Sequence, residues 1–281
     1  MKNKRALVIL SGGQDSTTCL FWALEQFEEV QAITFDYGQR HRREIQTAET
    51  VAKMAGVKHE IVRVPTCLVS SSPLTSDNEL EKYNNAQEME DIIGERVELT
   101  FVPMRNTFFF VIAMNRAVAY DCQHLVTGIC EADNANYPDC TDKFRSMFED
   151  MANQSLGLRK ESAVNQFMLH APLMHLSKAQ TCQLAYAMPK CWEALAYTHT
   201  SYDGQYPPTD NNHANVLRAD GFEKAGLPDP LVLRAVGEGL MQYPRTANYD
   251  KFFNGGVETG SGKFTDFDRG AVTSQIPGGA T

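Results

Sequence analysis

The sequence predicts an α/β fold, an open parallel sheet flanked by helices, continued by a C-terminal helical and irregular extension. Three observations carry this expectation. Arg5 to Leu10 is a continuous aliphatic run stopped by Ser-Gly-Gly, the pattern of a strand buried on both faces. Helical periodicity begins directly behind it, and strand and helix patterns then alternate, which calls for right-handed crossovers between parallel strands. With 281 residues at 43% hydrophobic and 22% charged, the chain can bury a large core, and it is not a disordered, collagen-like or disulfide-stapled protein.

In order, the first helix starts at Ser16, with Cys19, Leu20, Ala23, Leu24 and Phe27 at helical spacing. Val30 to Phe35 reads as a second strand, Arg43 to Ala55 as a helix closed by Gly56, and Glu60 to Val64 as a third strand. Periodicity fades between Pro65 and Glu98, which reads as a long surface loop with at most one short helix, a length typical of functional lids. The pattern resumes with a helix from Asn106, taken as its cap, through Ala119, then a strand over His124 to Ile129 and a helix from Thr141 to Leu156. Ser177 opens another helix, with Gln180 completing a capping box. Tyr197 to His213 is irregular, Asp229-Pro230 opens an amphipathic helix through Met241, and a Gly-rich tail follows Asn248. The organisation expected is a domain over 1–226 and an extension over 227–281.

Charge and cysteine usage narrow the function classes. The net charge of -9 disfavours nonspecific binding to nucleic acid or to anionic membranes, so any phosphate chemistry must use local donors. The apolar run after Lys2, Lys4 and Arg5 is too short for a secretory leader, and no stretch is long enough to span a bilayer, so a cytoplasmic protein without membrane or nucleic-acid partners is expected. Seven cysteines without a C-x-x-C pair read as reduced thiols.

The strongest local signal is Ser11-Gly12-Gly13-Gln14-Asp15-Ser16, set between a buried strand and a helix start. Glycines let backbone approach an anion, serine hydroxyls donate to it, and the helix start adds free N–H groups and a positive dipole end. Asp15 suits a magnesium-bound or ordering role better than direct phosphate contact. Gly-Gly alone is compatible with a merely tight turn; the whole hexapeptide favours an anion site.

This motif resembles the signature of the PP-loop ATP pyrophosphatases, and within them the chain resembles the QueC family of 7-cyano-7-deazaguanine synthases from about residue 4 to 226. The shared segments are SGGQDSTTCL (11 to 20), Phe35, Tyr37, Gln39, Arg40 and His41, FVPxRN (101 to 106), TGICEAD and YPDC (127 to 140), and APLMHLSKAQT (171 to 181). The resemblance implies an AMP-forming carbon-nitrogen ligase that uses ATP and Mg2+ to adenylate 7-carboxy-7-deazaguanine and hands the acyl group to an amine, with a homodimer as the expected assembly. Asp15, Ser16, Lys178 and Arg105 are the implied catalytic residues. Ser11, Gly12, Gly13, Gln14, Asp15, Ser16, Phe35, Arg40 and His41 are implied to hold the nucleotide. Tyr137, Asp139 and Arg105 are implied to hold the deazapurine. Physical chemistry leaves alternatives at several of these: Lys178 as a solvated lysine, Asp139 as a cap of the helix near Thr141, Tyr137 as a packing residue, Arg105 as a surface arginine, and Arg40 with His41 as a structural pair.

The chain also departs from that family, whose members carry a four-cysteine zinc site near the C-terminus. Alignment puts Ser201, Thr209, Asn212 and Asn215 at the four positions, and neutral hydroxyls and amides are poor zinc ligands, so no zinc is expected. A substitute set of His199, Asp203, Asp210 and His213 can be drawn, with solvated loop residues as the simpler reading. Met104 stands where the family commonly has glycine and is expected to alter access to the pocket. Gly260-Ser261-Gly262-Lys263 lacks the remaining features of a Walker loop. Two functions follow: a ligase whose acceptor is ammonia, giving amide and then nitrile, or a larger amine such as a protein N-terminus; or a catalytically degenerate protein that binds nucleotide or deazaguanine as a sensor or scaffold.

Overall fold

The computed structural model describes residues 5–39, 42–64, 70–76, 78–131, 136–158, 166–200 and 204–254. Five parallel strands form one sheet: β1 (Arg5–Ile9), β2 (Glu29–Asp36), β3 (Lys58–Arg63), β4 (His124–Val126) and β5 (Met168–His170), in the order β3-β2-β1-β4-β5. Ala6 registers with Val30 on one side and His124 on the other, so β1 is central and Ala6, Leu7 and Val8 are fully buried. Chain order reverses between β1 and β4, and such switch points are where open α/β sheets leave a crevice beyond their strand ends.

On the sheet lie α1 (Gln14–Gln26), α2 (Arg43–Ala55), α4 (Arg105–Ala119) and α5 (Asp142–Ser155), with α3 (Ala86–Ile93) as the short helix within the long loop. α2 ends on Gly56 at φ 70, a left-handed conformation that glycine adopts without strain. Two cores result. Cys19, Leu20 and Val51 pack under α1 and α2 on one face; Phe110, Phe148 and Leu169 pack under α4 and α5 on the other.

Several boundaries differ from the sequence expectation. β4 stops at Val126 rather than Ile129, because Gly128 then runs close under the first turn of α1: a β-carbon there would lie 3.1 Å from the Ser16 nitrogen. α4 begins at Arg105, so Asn106 is inside the helix and Met104 holds the cap position. β5 and α7 (Pro189–Leu195) carry no clear periodicity of their own. α6 (Lys178–Ala187) has the expected Ser177 and Gln180 capping box.

The C-terminal part is α8 (His213–Ala225), α9 (Pro230–Gly237) and α10 (Ala247–Asn254). α9 ends four residues before the expected Met241. α9 packs on α7 and α10 on α8, while Leu227 joins the main core. The tail expected after Asn248 begins instead with α10, whose Tyr249 is buried, and the Gly-rich stretch 255–281 lies outside the described residues.

Candidate active site

The crevice at the switch point is a cavity of about 370 Å³. β1 ends into Ser11, β2 supplies Thr34 and Phe35 and leads into Tyr37, β4 leads into Thr127 and Gly128, and α6 and α8 close it with Lys178 and Arg218. One wall is the phosphate turn. Ser11 Oγ and Ser16 Oγ are 3.0 Å apart, and the Ser11 backbone donates to Ser16 Oγ at 3.2 Å, so the two hydroxyls are pinned facing one another. Gly13 caps α1 without a side chain, which leaves the first-turn N–H groups to a ligand.

The two glycines do different work. Gly12 has φ 86, and a β-carbon there would sit 2.6 Å from the Glu44 carbonyl oxygen and 2.9 Å from the Ala48 nitrogen; its absence lets α2 close on the turn. Gly13 lines the cavity itself. Gln14 points its amide into the core, donating to Cys182 Sγ at 3.1 Å, so its side chain braces α6.

Lys178 Nζ donates to both Asp15 carboxylate oxygens, at 2.8 and 2.7 Å. The cation thus sits at the phosphate turn, although Lys178 lies at the start of a helix where the dipole does not favour it. Its stem passes so close to α8 that a β-carbon on Gly221 would approach Lys178 Cγ to 2.4 Å. Asp15 and Ser16 are therefore held on both sides, not displayed on a bare turn.

The opposite wall is aromatic and basic. Phe35 stacks on Phe109 with centroids 4.3 Å apart, and Tyr37 leans on the same ring. Arg105 hydrogen-bonds Tyr37, whose hydroxyl titrates above its ordinary value because burial outweighs that contact. Glu44, a residue that no motif reading singled out, faces the same cavity; enclosure by protein pushes its carboxyl up to about 7, with Arg105 opposing. Only its helical position, two residues into α2, and the neighbouring basic run were visible in the sequence.

Tyr137 lines the cavity and is fixed by its hydroxyl, which donates to Glu98 at 3.0 Å and meets Thr100, while its ring packs on Phe101. Glu98 is buried and also takes the Thr100 backbone N–H at 2.7 Å. Asp139, on a short 3-10 turn (Pro138–Cys140), is buried between two lining residues. Burial raises its pKa, with Arg105 and the Asn106 N–H groups opposing. The cap of α5 is Thr141, which accepts from the Phe144 nitrogen, so Asp139 is tied to the start of α4 and not to the helix near Thr141. Arg40 and His41 lie outside the described residues.

Met104 is 64% exposed and is not among the residues lining the cavity, contrary to the expected effect on access. Its φ of 65 instead accounts for the preference for glycine at this point of the family pattern.

Residues 5–226 match the family model described as "Queuosine biosynthesis protein QueC". The chain belongs to the QueC family. It is 44% identical over 237 residues to the 7-cyano-7-deazaguanine synthase of Laribacter hongkongensis, covering 83% of this chain and 96% of that one. To the 7-cyano-7-deazaguanine synthase of Chromobacterium violaceum it is 41% identical, covering 84% and 96%. Among solved structures, NMN synthetase from Francisella tularensis gives a TM-score of 0.40 at 12% identity over 90% of this chain and 84% of that one, too loose a likeness to bear on function.

The zinc set that QueC resemblance implies does not fit these residues. Thr209 is exposed; Asn212 caps α8 by accepting from the Asn215 nitrogen; and the Asn212 and Asn215 amides both donate to the Asp210 carboxylate. A hydrogen-bonded Asp-Asn-Asn knot stands where thiolates would be needed. Among the described residues, no group of three or more His, Cys, Asp or Glu side chains is placed to hold a metal; Ser201 and Asp203 lie outside them. The segment is tied down by α9 instead: Arg234 lies 4.7 Å from the Tyr197 ring and 4.6 Å from the Tyr206 ring, and Tyr206 donates to Glu238 at 2.8 Å.

Proposed function

We propose that this protein is an ATP-dependent carbon-nitrogen ligase that adenylates 7-carboxy-7-deazaguanine, releases pyrophosphate and transfers the acyl group to an amine. The observation that carries the reading is the joining, in one cavity at the sheet's switch point, of a helix-start phosphate turn with Lys178 on one wall and Arg105 with Tyr137 on the other. Membership of the QueC family, whose relatives are named 7-cyano-7-deazaguanine synthases, supports a 7-deazaguanine as the substrate class.

The phosphates lie along Ser11, Gly13 and the first-turn N–H groups of α1, where Ser16 and Lys178 stabilise charge that builds on the leaving pyrophosphate. Any Mg2+ arriving with the nucleotide would be held chiefly by the phosphates and would have to share the Asp15 carboxylate with Lys178, which occupies both of its oxygens; it would neutralise phosphate charge. Phe35 supports the nucleotide side. Arg105 grips the substrate carboxylate, Tyr137 stacks on the deazapurine, and Asp139 accepts from the adjacent N–H donors of its guanine-like edge.

The acceptor is ammonia in the simplest form of this reading. A larger amine, such as a protein N-terminus, is favoured by the rebuilt 209–215 segment beside the cavity, where neutral side chains replace the cysteines of the family pattern.

Incubation with ATP, Mg2+ and 7-carboxy-7-deazaguanine should yield AMP and pyrophosphate, with mass spectrometry of the product under ammonia or a model peptide naming the acceptor. No AMP under any amine supply overturns the ligase and leaves the binding protein. Asp139→Asn should weaken the deazapurine substrate about tenfold and spare ATP affinity, because one acceptor becomes a donor facing a donor; equal substrate affinity returns Asp139 to a purely structural role at α4.

A further inference from the structure

Arg218 of α8 is a buried cation at the boundary between the cavity and the segment beyond residue 226, where the family match ends. Its five N–H groups have five acceptors. Nε and Nη2 donate to the two Asp229 carboxylate oxygens at 2.6 and 2.8 Å. Nη1 donates to Thr198 Oγ1 and Thr200 Oγ1, each at 2.8 Å, and Nη2 also reaches the Leu195 carbonyl at 3.4 Å. Between those two threonines, the His199 backbone N–H donates to the Gly12 carbonyl of the phosphate turn at 3.0 Å.

The chain of contacts therefore runs from the extension to the anion site: Asp229, Arg218, Thr198 with Thr200, His199, Gly12. Asp229 is itself locked, capping α9 through the Leu231 N–H at 2.9 Å and donating its own N–H to Tyr249 of α10 at 3.1 Å. Without a carboxylate opposite it, a guanidinium buried here would have to draw other acceptors toward itself or seek water, and the threonine hydroxyls it now aligns are its remaining side-chain acceptors.

We propose that Asp229 and Arg218 are positioning residues for the nucleotide, and that the C-terminal extension acts through them to hold the 198–200 segment against the phosphate turn. The inference rests on the reading that this turn binds ATP. A bidentate carboxylate fixes the guanidinium plane, and the opposite edge of that plane presents the two donors that place Thr198 and Thr200. The backbone between them then sets the Gly12 carbonyl, and with it the orientation of the peptide groups facing the phosphates.

The test measures ATP affinity by calorimetry and KM for ATP against kcat on the full-length protein, with thermal unfolding alongside. Thr200→Val removes one acceptor with almost no change of shape and should weaken ATP about tenfold with little change in melting temperature, while Thr200→Ser restores affinity. Asp229→Asn should show the same loss of ATP affinity together with a lower melting temperature. Tyr249→Phe loosens α10 but leaves the Asp229 carboxylate on Arg218, so it should lower the melting temperature and spare ATP affinity. If wild type binds ATP and Thr200→Val binds it equally well, the positioning role is overturned; the Thr200 pair decides even where Asp229→Asn does not fold. Equal loss of ATP affinity in Tyr249→Phe also overturns it, because general loosening then accounts for the effect. Failure of the wild type to bind ATP overturns the phosphate-turn reading first, and this inference with it.

Discussion

The phosphate turn packs its donors into residues 11 to 16, whereas the structure that seals the same cavity from behind draws on residues spread from Leu195 to Tyr249. Both order polar groups that must not move when charge develops, but the first does so through backbone geometry and the second through buried side chains. Backbone geometry is cheap to encode locally: a glycine at φ 86, two serines and a helix start suffice. A side-chain brace must gather its acceptors from far along the chain, and it becomes as strong as its most buried charge.

Removing the extension should expose that dependence most severely. Truncation after Gly226 deletes Asp229 and leaves Arg218 in a protein interior without its carboxylate, at a cost of roughly 3–5 kcal/mol, in addition to uncovering Leu227's neighbours and the α9 face. Urea unfolding should show this loss, or no soluble fold at all. Truncation after Asn254 keeps every contact described for Asp229 and should leave stability within about 0.5 kcal/mol of the full chain. Equal stability of both fragments would remove the brace from the comparison.

The turn fails differently. Ser16→Ala deletes one hydroxyl from a set of mutually oriented donors and should lower the rate of pyrophosphate release by roughly 100- to 1000-fold, about 3 kcal/mol of transition-state stabilisation. Asp15→Asn should lose at least as much, and it also deprives Lys178 of a charge 2.7 Å away, so a modest fall in stability accompanies it. Steady-state rates and unfolding midpoints measured together separate the two regions: turn variants lose rate far more than stability, whereas loss of the Asp229 carboxylate lowers stability together with ATP affinity.

What could be read from sequence follows the same division. The strand-turn-helix at Arg5 to Gln26 and the capping box at Ser177 are written in neighbouring residues; the capping box stands where expected, and the helix opens at Gln14, two residues before the expected Ser16, so that Asp15 and Ser16 lie in its first turn. The pairing of Lys178 with Asp15 and of Arg218 with Asp229 needs the fold, because 163 residues and the meeting of α6 with α1 separate the first pair, and the second forms only where the chain turns back from α8 into α9. Glu44 escaped notice for a related reason. Nothing in an amphipathic helix start marks one glutamate as enclosed, and only the approach of α2 over Gly12 encloses it. β5 spans three residues, too short to display a period.

Met104 offers a smaller and purely conformational test. A non-glycine residue at φ 65 ahead of α4 carries about 1 kcal/mol of backbone strain, and the side chain is exposed, so Met104→Gly should stabilise the protein by up to that amount with turnover unchanged. A loss of stability would mean that the thioether makes contacts worth more than the strain. A change in turnover would return this position to the site's entrance, on the turn's side of the comparison.

The least visible effect in the wild type is a cancellation between the cavity wall and the far end of the sheet. His170 lies 3.1 Å from His124 and against Phe27 and Trp22; burial first, then His124 and Arg145, lower its pKa from 6.5 to about 4. The unfolded chain therefore binds more protons there between pH 4 and 6.5, and stability from this group is present above pH 6.5 and lost as pH falls toward 4. Glu44 has the opposite sign. Burial raises its pKa from 4.5 to about 7, so the folded chain binds more protons and stability falls as pH rises through that interval. The two windows overlap between 4.5 and 6.5, where the slopes oppose one another. Each slope is at most one proton, about 1.4 kcal/mol per pH unit, and less where solvent screens a partly open group. Relative to the wild type, Glu44→Gln should therefore tilt the stability profile upward from pH 5 to 6.5, and His170→Gln should tilt it downward over the same range, both read from urea midpoints at constant ionic strength. Parallel pH profiles for the two variants would show that neither group titrates as its surroundings dictate, whereas opposite tilts would place a proton-binding carboxyl on the cavity wall next to Arg105.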